Sequence, residues 1–232
     1  MPISFFSPTT KLTGLPEAWI LQSSAPSDSY NRQQGLNTDG DEIASQIYGH
    51  NQSVTEVYKS FEDTGSIPLS LVTPGTVKGT WHIDSVSVKY TPTDYVELSV
   101  TAHQHIDCEP GVTSHNSNHR KVQDPIASLP YGFGIPVGLR TLVGLTDSTV
   151  GIASFTYDLS ITHQDEVGGA GNYLASENRD GAETITVEFT GDPGTISIEG
   201  WDLTAKSENN SNTTAETVSY TFTRHLSTVA AS

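Results

Sequence analysis

Basic residues and cysteine are scarce in this chain. Its 232 residues include one cysteine, one methionine and 11 lysines or arginines, against 27 aspartates or glutamates. The single thiol, Cys108, cannot form an internal disulfide, which is typical of assembly in a reducing cytoplasm. The formal net charge of −16 argues against the lysine and arginine clusters that bind nucleic-acid backbones. It also argues against docking on an anionic membrane.

Several sequence signals of other protein classes are also missing. No apolar run approaches the ~20 residues that span a bilayer. The N-terminus has no basic segment followed by an apolar core, so we read no signal peptide. The sequence contains no nucleophile elbow, phosphate-binding loop or dinucleotide fingerprint. We therefore predict no enzyme, no catalytic residue and no cofactor.

What the chain does contain is a duplicated strand pattern. Val96–His103 and Val218–His225 share the form Val, any residue, apolar, Ser or Thr, apolar, Thr, any residue, His. Both alternate apolar and polar residues, which is the pattern of a half-buried strand. A tryptophan precedes each copy, Trp81 and Trp201, and each tryptophan follows a Pro-Gly-Thr turn. The pattern predicts a repeated structural unit.

We expect a mainly β protein, a β-sandwich or barrel built from two pseudo-repeated antiparallel units with one short helix. Each unit reads as strand, long loop, strand, turn, strand, turn, strand. Val54, Val57, Tyr58 and Phe61 follow helical spacing, and Ser53 with Glu56 forms a capping box, so the helix is predicted near 53–63. The predicted segments are an N-terminal arm (1–17), unit 1 (18–107), an ordered Pro/Gly-rich connection (108–149), unit 2 (150–227) and a tail (228–232).

Histidines near the end of unit 1 are the candidates for metal chemistry. His103 and His105 lie two residues apart on a strand, and His115 and His119 follow in a Gly/Ser/Asn-rich segment with Cys108. Histidine and cysteine at such spacings can share a metal ion. His103 has a counterpart in His225 that lacks these companions, which favours a structural role for the repeated histidine. We therefore predict no metal site.

Acidic residues lie in or beside the long loop of each unit. In one interpretation, both loops are hairpin extensions that point the same way by pseudosymmetry, and in a ring of subunits they would line one surface. A solvated acidic surface is the simpler interpretation. The lumen-facing candidates are Asp28, Asp39, Asp41, Glu42, Asp165, Glu166, Glu177, Asp180 and Glu183. Exposed apolar clusters usually find a partner, so the candidates for contacts between subunits are Phe5, Phe6, Leu12, Tyr131 and Phe133.

The second unit resembles the tail tube proteins of tailed bacteriophages. The resemblance lies in Asn172–Val187, in Gly200–Thr204 and in Thr223–His225, and it is one of pattern without a diagnostic motif. It implies a β-sandwich or barrel, stacked hexameric rings and an acidic lumen through which DNA slides without specific binding. It also implies contacts with other tail proteins and assembly in the host cytoplasm into a virion tail. The duplication departs from the family, so the ring could be a hexamer or a trimer with pseudo-sixfold symmetry.

Two other functions fit the same sequence features. One is a different virion component, either a capsid decoration or a head–tail connector protein. The other is a carbohydrate-binding β-sandwich in which Trp81 and Trp201 stack on sugars. The recurrence of the two tryptophans at equivalent places favours a shared core position instead.

Overall fold

Strands dominate the chain, because valine, threonine and aromatic residues alternate with polar ones along most of it. The computed structural model describes residues 12, 15, 18–62, 64–106, 120–132, 137–145, 150–167, 173–211 and 214–230. The strands of the first half are β1 (Trp19–Leu36), β2 (Glu42–Ser60), β3 (Thr64–Pro68), β4 (Val77–Lys78), β5 (Trp81–Tyr90) and β6 (Glu97–His105).

The second half begins with short elements and ends with long strands. The short strands are β7 (Arg120–Val122) and β8 (Ser128–Gly132), followed by the helix α1 (Val137–Leu142). The remaining strands are β9 (Gly151–Val167), β10 (Tyr173–Thr190), β11 (Asp202–Ser211), β12 (Thr214–Leu226) and β13 (Thr228–Ala230). A short 3₁₀ helix spans Leu69–Leu71.

One large antiparallel sheet holds both units. Its order is β1-β2-β6-β5-β9-β10-β12-β11, and β4 pairs with the start of β5. The first four strands and the last four have the same arrangement, in which the closing strand lies between the second and third strands of its unit. The duplication read from the sequence is therefore a duplication of strand order. β3 pairs with β8, and β7 pairs with β13, in two small additional sheets.

The two units share one hydrophobic core. Leu98 and Val100 on β6 are fully buried, as are Phe155, Tyr157 and Leu159 on β9. These residues belong to a single cluster that also includes side chains of β5, β10 and β12. The mainly antiparallel β fold with one α-helix among the described residues confirms the predicted fold class.

The predicted helix near 53–63 is wrong, because this segment forms most of the second half of β2. Val54, Glu56, Tyr58 and Ser60 are buried with a period of two residues. Glu56 fits there because its carboxylate accepts hydrogen bonds from the Leu12 backbone N–H and from Ser24 Oγ, at 3.3 and 3.2 Å, and from the Tyr58 hydroxyl. The buried acid breaks the apolar alternation, so the sequence pattern resembled a helix. The α-helix of the described residues is α1, in the connection.

The predicted long loops are also wrong in part, since they belong to two long hairpins. β1 continues to Leu36 and pairs with β2 almost throughout, and β9 and β10 pair from Val167 and Tyr173 onwards. Within the described part of the two hairpins, a turn with a left-handed glycine lies near the tip of the first, where Gly40 has a φ of +87°. A left-handed φ of this kind favours glycine.

Two of the residues expected to contact other subunits are buried in their own chain. Leu12 belongs to the core. Tyr131 packs edge-on against Trp19, with ring centroids 5.2 Å apart, and donates a hydrogen bond to Glu62. Both expectations are therefore corrected, because each side chain already has an intramolecular partner. Phe5, Phe6 and Phe133 lie outside the described residues.

A histidine–aspartate cluster at the seam between the units

The seam is the pairing of β5 with β9, which joins the two units. Its ladder begins at Ser85 opposite Ser160 and ends at Tyr90 opposite Phe155. His82 and Asp84 precede Ser85 along β5, and His163 and Asp165 follow Ser160 along β9. Because the strands are antiparallel, all four residues lie at the same end of the seam.

β6 brings two more histidines to this end. His103 pairs with His82 in the β5–β6 ladder, and His105 lies two residues farther along β6. Unit 1 contributes four residues to this group and unit 2 contributes two. The six residues, called the seam cluster below, are His82, Asp84, His103, His105, His163 and Asp165.

Asp84 and Asp165 connect the imidazoles of the seam cluster. Asp84 Oδ1 lies 2.6 Å from His103 Nδ1 and 3.9 Å from His163 Nδ1. Asp165 Oδ1 lies 3.1 Å from His105 Nε2, and its Oδ2 lies 3.7 Å from His163 Nε2. His163 therefore has one carboxylate facing each of its ring nitrogens.

The rings are also stacked on one another. The His103 and His163 rings are nearly parallel, with centroids 4.4 Å apart. The His82 ring also stacks on the His103 ring, at a centroid distance of 5.4 Å. Two stacked imidazoles cannot both be protonated without strong repulsion. The two carboxylates supply the negative charge that one imidazolium, or one bound cation, would require.

Burial and the nearby carboxylates have opposite effects on the pKa of His163 in the seam cluster. His82, His103 and His105 are buried, and the side chains of His163 and Asp165 are 27% and 23% exposed. The carboxylate of Asp165 raises the pKa of His163, burial opposes this effect, and Asp84 adds to the increase. The buried Nε2 of His103 has no hydrogen-bond partner among the described residues.

The sequence carries a further signal for this cluster, in the spacing of its members. His82-Ile83-Asp84, His103-Gln104-His105 and His163-Gln164-Asp165 each place a histidine two residues before a second potential ligand. Of the four histidines predicted as metal candidates, His103 and His105 belong to the seam cluster. His115 and His119 lie outside the described residues, as does Cys108. His225, the repeat counterpart of His103, is exposed.

The acidic candidates for a lumen surface separate into different environments. Asp28, Asp39, Asp41, Glu42 and Glu166 are exposed on the two long hairpins, and Asp180 is exposed on β10. Asp165 belongs to the seam cluster, and the side chain of Glu177 lies outside the described part of the chain. Glu183 is a correction, since it is fully buried and accepts hydrogen bonds from Tyr157 Oη, the Ile126 backbone N–H and Arg224.

The two tryptophans do not form an exposed aromatic platform. Trp81 is buried, at the edge of a small groove that is also lined by Pro26, Asp28 and Gln104. Trp201 is partly buried, and the Arg224 guanidinium lies 5.0 Å from its ring centroid. The face of Trp201 is therefore occupied by a cation of the same chain. Neither arrangement favours stacking of a sugar.

Comparison with known proteins leaves the family of this chain open. No protein-family model and no curated protein matches the sequence. No helix among the described residues has the length and apolar character to cross a membrane.

Proposed function

We propose that this protein is a structural subunit that assembles head to tail by extending its sheet into the next copy, as the tail tube subunit of a tailed phage. The observation that carries the proposal is the match between the seam and the two free edges of the sheet. The seam joins the third strand of one unit, β5, to the first strand of the next, β9. The free edges are β11, the third strand of unit 2, and β1, the first strand of unit 1.

The repeat predicts which strands and residues pair between copies. β11 corresponds to β5 and β1 corresponds to β9, so β11 of one copy can pair with β1 of the next as β5 pairs with β9. In the seam, Ser87 lies opposite Asp158. The counterpart of Ser87 is Ala205, because the two residues pair with equivalent positions of β6 and β12. The counterpart of Asp158 is Ala25, because the two residues pair with equivalent positions of β10 and β2. We expect these two alanines to face each other between copies.

Side chains of β5, which is paired at the seam, are buried, whereas their counterparts on the edge strand β11 are exposed. Val86 and Val88 on β5 are fully buried. Their counterparts on β11, Leu203 and Lys206, are exposed, and Leu203 is 51% exposed. A long exposed edge strand is a template for pairing with another chain. By analogy with β5, we expect these side chains of β11 to become buried when another copy pairs with this edge.

The two free edges are different surfaces, so the contact between copies is heterologous. Contacts of this kind produce closed rings when the rotation closes and filaments when it does not. A ring of three chains contains six units, and a ring of six chains contains twelve. The exposed acidic residues of the hairpins, including Asp39 and Asp41, would repel DNA phosphates rather than bind them. That property suits a lumen through which DNA passes.

Negative-stain electron microscopy with native mass spectrometry tests the proposal. We expect rings or tubes, and the ring mass gives the number of chains. A protein that stays monomeric at high concentration contradicts the proposal. A monomer that binds to capsids without polymerising would favour the alternative of a capsid decoration or head–tail connector protein.

Engineered disulfides test the register directly. Cysteines at Ala25 and Ala205, in a Cys108→Ser background, would lie on adjacent antiparallel strands with Cα atoms about 4.5–5.5 Å apart, within the range that a disulfide bridges. We expect a ladder of covalent oligomers on oxidation. The matched control pairs Ala25→Cys with Lys206→Cys, which faces the other side of β11. Equal crosslinking in both variants, or none in the first, contradicts the proposed pairing.

A further inference from the structure

We infer that Asp84, His103 and His163 form a binding site for one divalent transition-metal ion, for which zinc is the best-fitting candidate. One donor atom from each residue lies within 4.8 Å of the other two. Two imidazoles with one carboxylate form a donor set that zinc accepts, with a fourth position left for water. The site is distinct from the free edges and does not depend on assembly.

The distances between donor atoms approach those around a tetrahedral ion, and binding requires the nearly parallel rings of His103 and His163 to turn towards a common point. Ligand atoms about 2.0–2.1 Å from a tetrahedral zinc ion lie about 3.3 Å from one another. The distances from Asp84 Oδ1 to the Nδ1 atoms of His103 and His163 are 2.6 and 3.9 Å, one shorter and one longer than this value. Rotation of the partly exposed His163 ring towards Asp84 would shorten the longer distance, and a small rotation of the Asp84 carboxylate away from His103 would lengthen the shorter one.

Asp165 supplies the outer carboxylate that histidine ligands commonly have. A histidine that binds a metal through one ring nitrogen usually donates the other N–H to a carboxylate or carbonyl. His163 presents Nδ1 to Asp84 and Nε2 to Asp165, at 3.9 and 3.7 Å. The same carboxylate also holds His105. This arrangement orients the ring of His163 with Nδ1 towards the site.

The burial of His103 is the second observation that points to a ligand. The residue is 2% exposed, and its Nδ1, the atom that would bind the ion, faces Asp84 Oδ1 at 2.6 Å. The repeat shows that the strand ending does not require this burial, because His225 at the corresponding position is exposed. The buried histidine belongs to the seam, where His163 and Asp84 are present.

The ligands come from both units, so the ion would link them. Asp84 and His103 lie on β5 and β6 of unit 1, and His163 lies on β9 of unit 2. The end of the seam at which β5 stops pairing with β9 would then be closed by coordination. We expect the ion to stabilise the chain against separation of the units.

Calorimetric titration of zinc chloride into the full-length protein, after treatment with EDTA, tests the site. We expect one ion per chain, and an unfolding temperature that rises by roughly 5–10 °C at a hundredfold excess over the Kd. Cobalt provides a second readout, because a tetrahedral site gives Co²⁺ intense visible absorption bands. We expect His163→Gln and Asp84→Asn to lose the binding heat and the bands, and Asp165→Asn to weaken binding about 10–100-fold.

Matched controls separate this site from other histidines of the chain. His225→Gln removes the exposed counterpart of His103, and His50→Gln removes a surface histidine that lies 3.3 Å from Asp28. A His115→Gln/His119→Gln/Cys108→Ser variant removes the candidates outside the described residues. All three should bind zinc as the unaltered protein does. Unfolding midpoints without metal show whether each variant is folded. Undiminished binding by folded His163→Gln, or the absence of binding by the unaltered protein, overturns the inference.

Discussion

Replacing Arg224 by methionine should destabilise the fold, because it removes the cation that faces a fully buried carboxylate. Arg224 Nε donates a hydrogen bond to Glu183 Oε2 at 2.8 Å, and the arginine side chain is 30% exposed. The two remaining donors, Tyr157 Oη and the Ile126 N–H, both lie 2.7 Å from the other oxygen, Oε1. Methionine fills a similar volume but leaves Oε2 without the donors of the guanidinium.

The expected loss is about 3 kcal/mol. Breaking a buried ion pair from one side costs about 3–5 kcal/mol, because a buried charge is left without compensation. The lower end applies here, since Oε1 keeps both of its hydrogen bonds. For a chain of this size each kcal/mol lowers the unfolding temperature by about 2–4 °C, so we expect a decrease of roughly 6–12 °C in scanning calorimetry.

Two further variants sharpen the prediction. Arg32→Met breaks an exposed pair with Glu42, in which the side chains are 49% and 36% exposed, and should cost less than about 1 kcal/mol. Glu183→Gln added to Arg224→Met removes the uncompensated charge and keeps an acceptor for Tyr157. The double variant should therefore be more stable than Arg224→Met alone. Equal losses at Arg224 and Arg32, or no recovery in the double variant, would refute the reasoning.

Two other predictions concern a turn and a surface ion pair. Gly75 and Gly194 occupy the two Pro-Gly-Thr turns, with φ of +87° and +74°. A Cβ added at Gly75 would lie 2.3 Å from the Arg120 carbonyl oxygen, whereas a Cβ added at Gly194 would have no neighbouring atom within 4 Å among the described residues. In urea denaturation Gly194→Ala should therefore cost about 1–2 kcal/mol and Gly75→Ala about 3 kcal/mol; equal costs would contradict this difference. The Lys59 ammonium has the largest effect in lowering the pKa of Asp94, and the Tyr95 backbone N–H adds to it. The Asp94 carboxylate therefore stabilises the fold at pH values above its unfolded pKa. This stabilisation is lost as pH falls through the lower folded pKa. The urea midpoint of Asp94→Asn should lie below that of the unaltered protein at neutral pH. The gap should narrow as pH falls below about 4 and close below the lower folded pKa; a gap that persists in strong acid would rule this out.

The repeat was predictable from the sequence because strand ends carry local signals. The spacing of Pro-Gly-Thr, tryptophan and the closing strand placed β5, β6, β11 and β12 correctly. The strand at 53–60 was not predictable in this way, because Glu56 occupies a buried position in it. That position depends on hydrogen bonds from Leu12 and Ser24, which are far away in sequence.

The seam cluster was also only partly predictable from the sequence. The sequence places His103 and His105 on one strand, but the residues that complete the cluster lie on β5 and β9. The partners of a side chain across a sheet depend on strand order, which short-range patterns do not specify. The prediction of Glu183 as a surface acid is wrong for the same reason. At the corresponding place in unit 1 the structure has Val54 paired with Ala102, whereas unit 2 has Glu183 paired with Arg224.

In the head-to-tail assembly that we propose, the fusion of two units in one chain would give different chemistry to neighbouring joints, the contacts between successive units. In any head-to-tail assembly the joints within chains and the joints between chains alternate, and the histidines and aspartates described above occur only at the former among the described residues. Six identical single units would have to carry the same residues at every joint. Covalent duplication frees the two copies to diverge, so that the joint within the chain is fixed when the chain folds and the proposed joint between chains would form only on assembly.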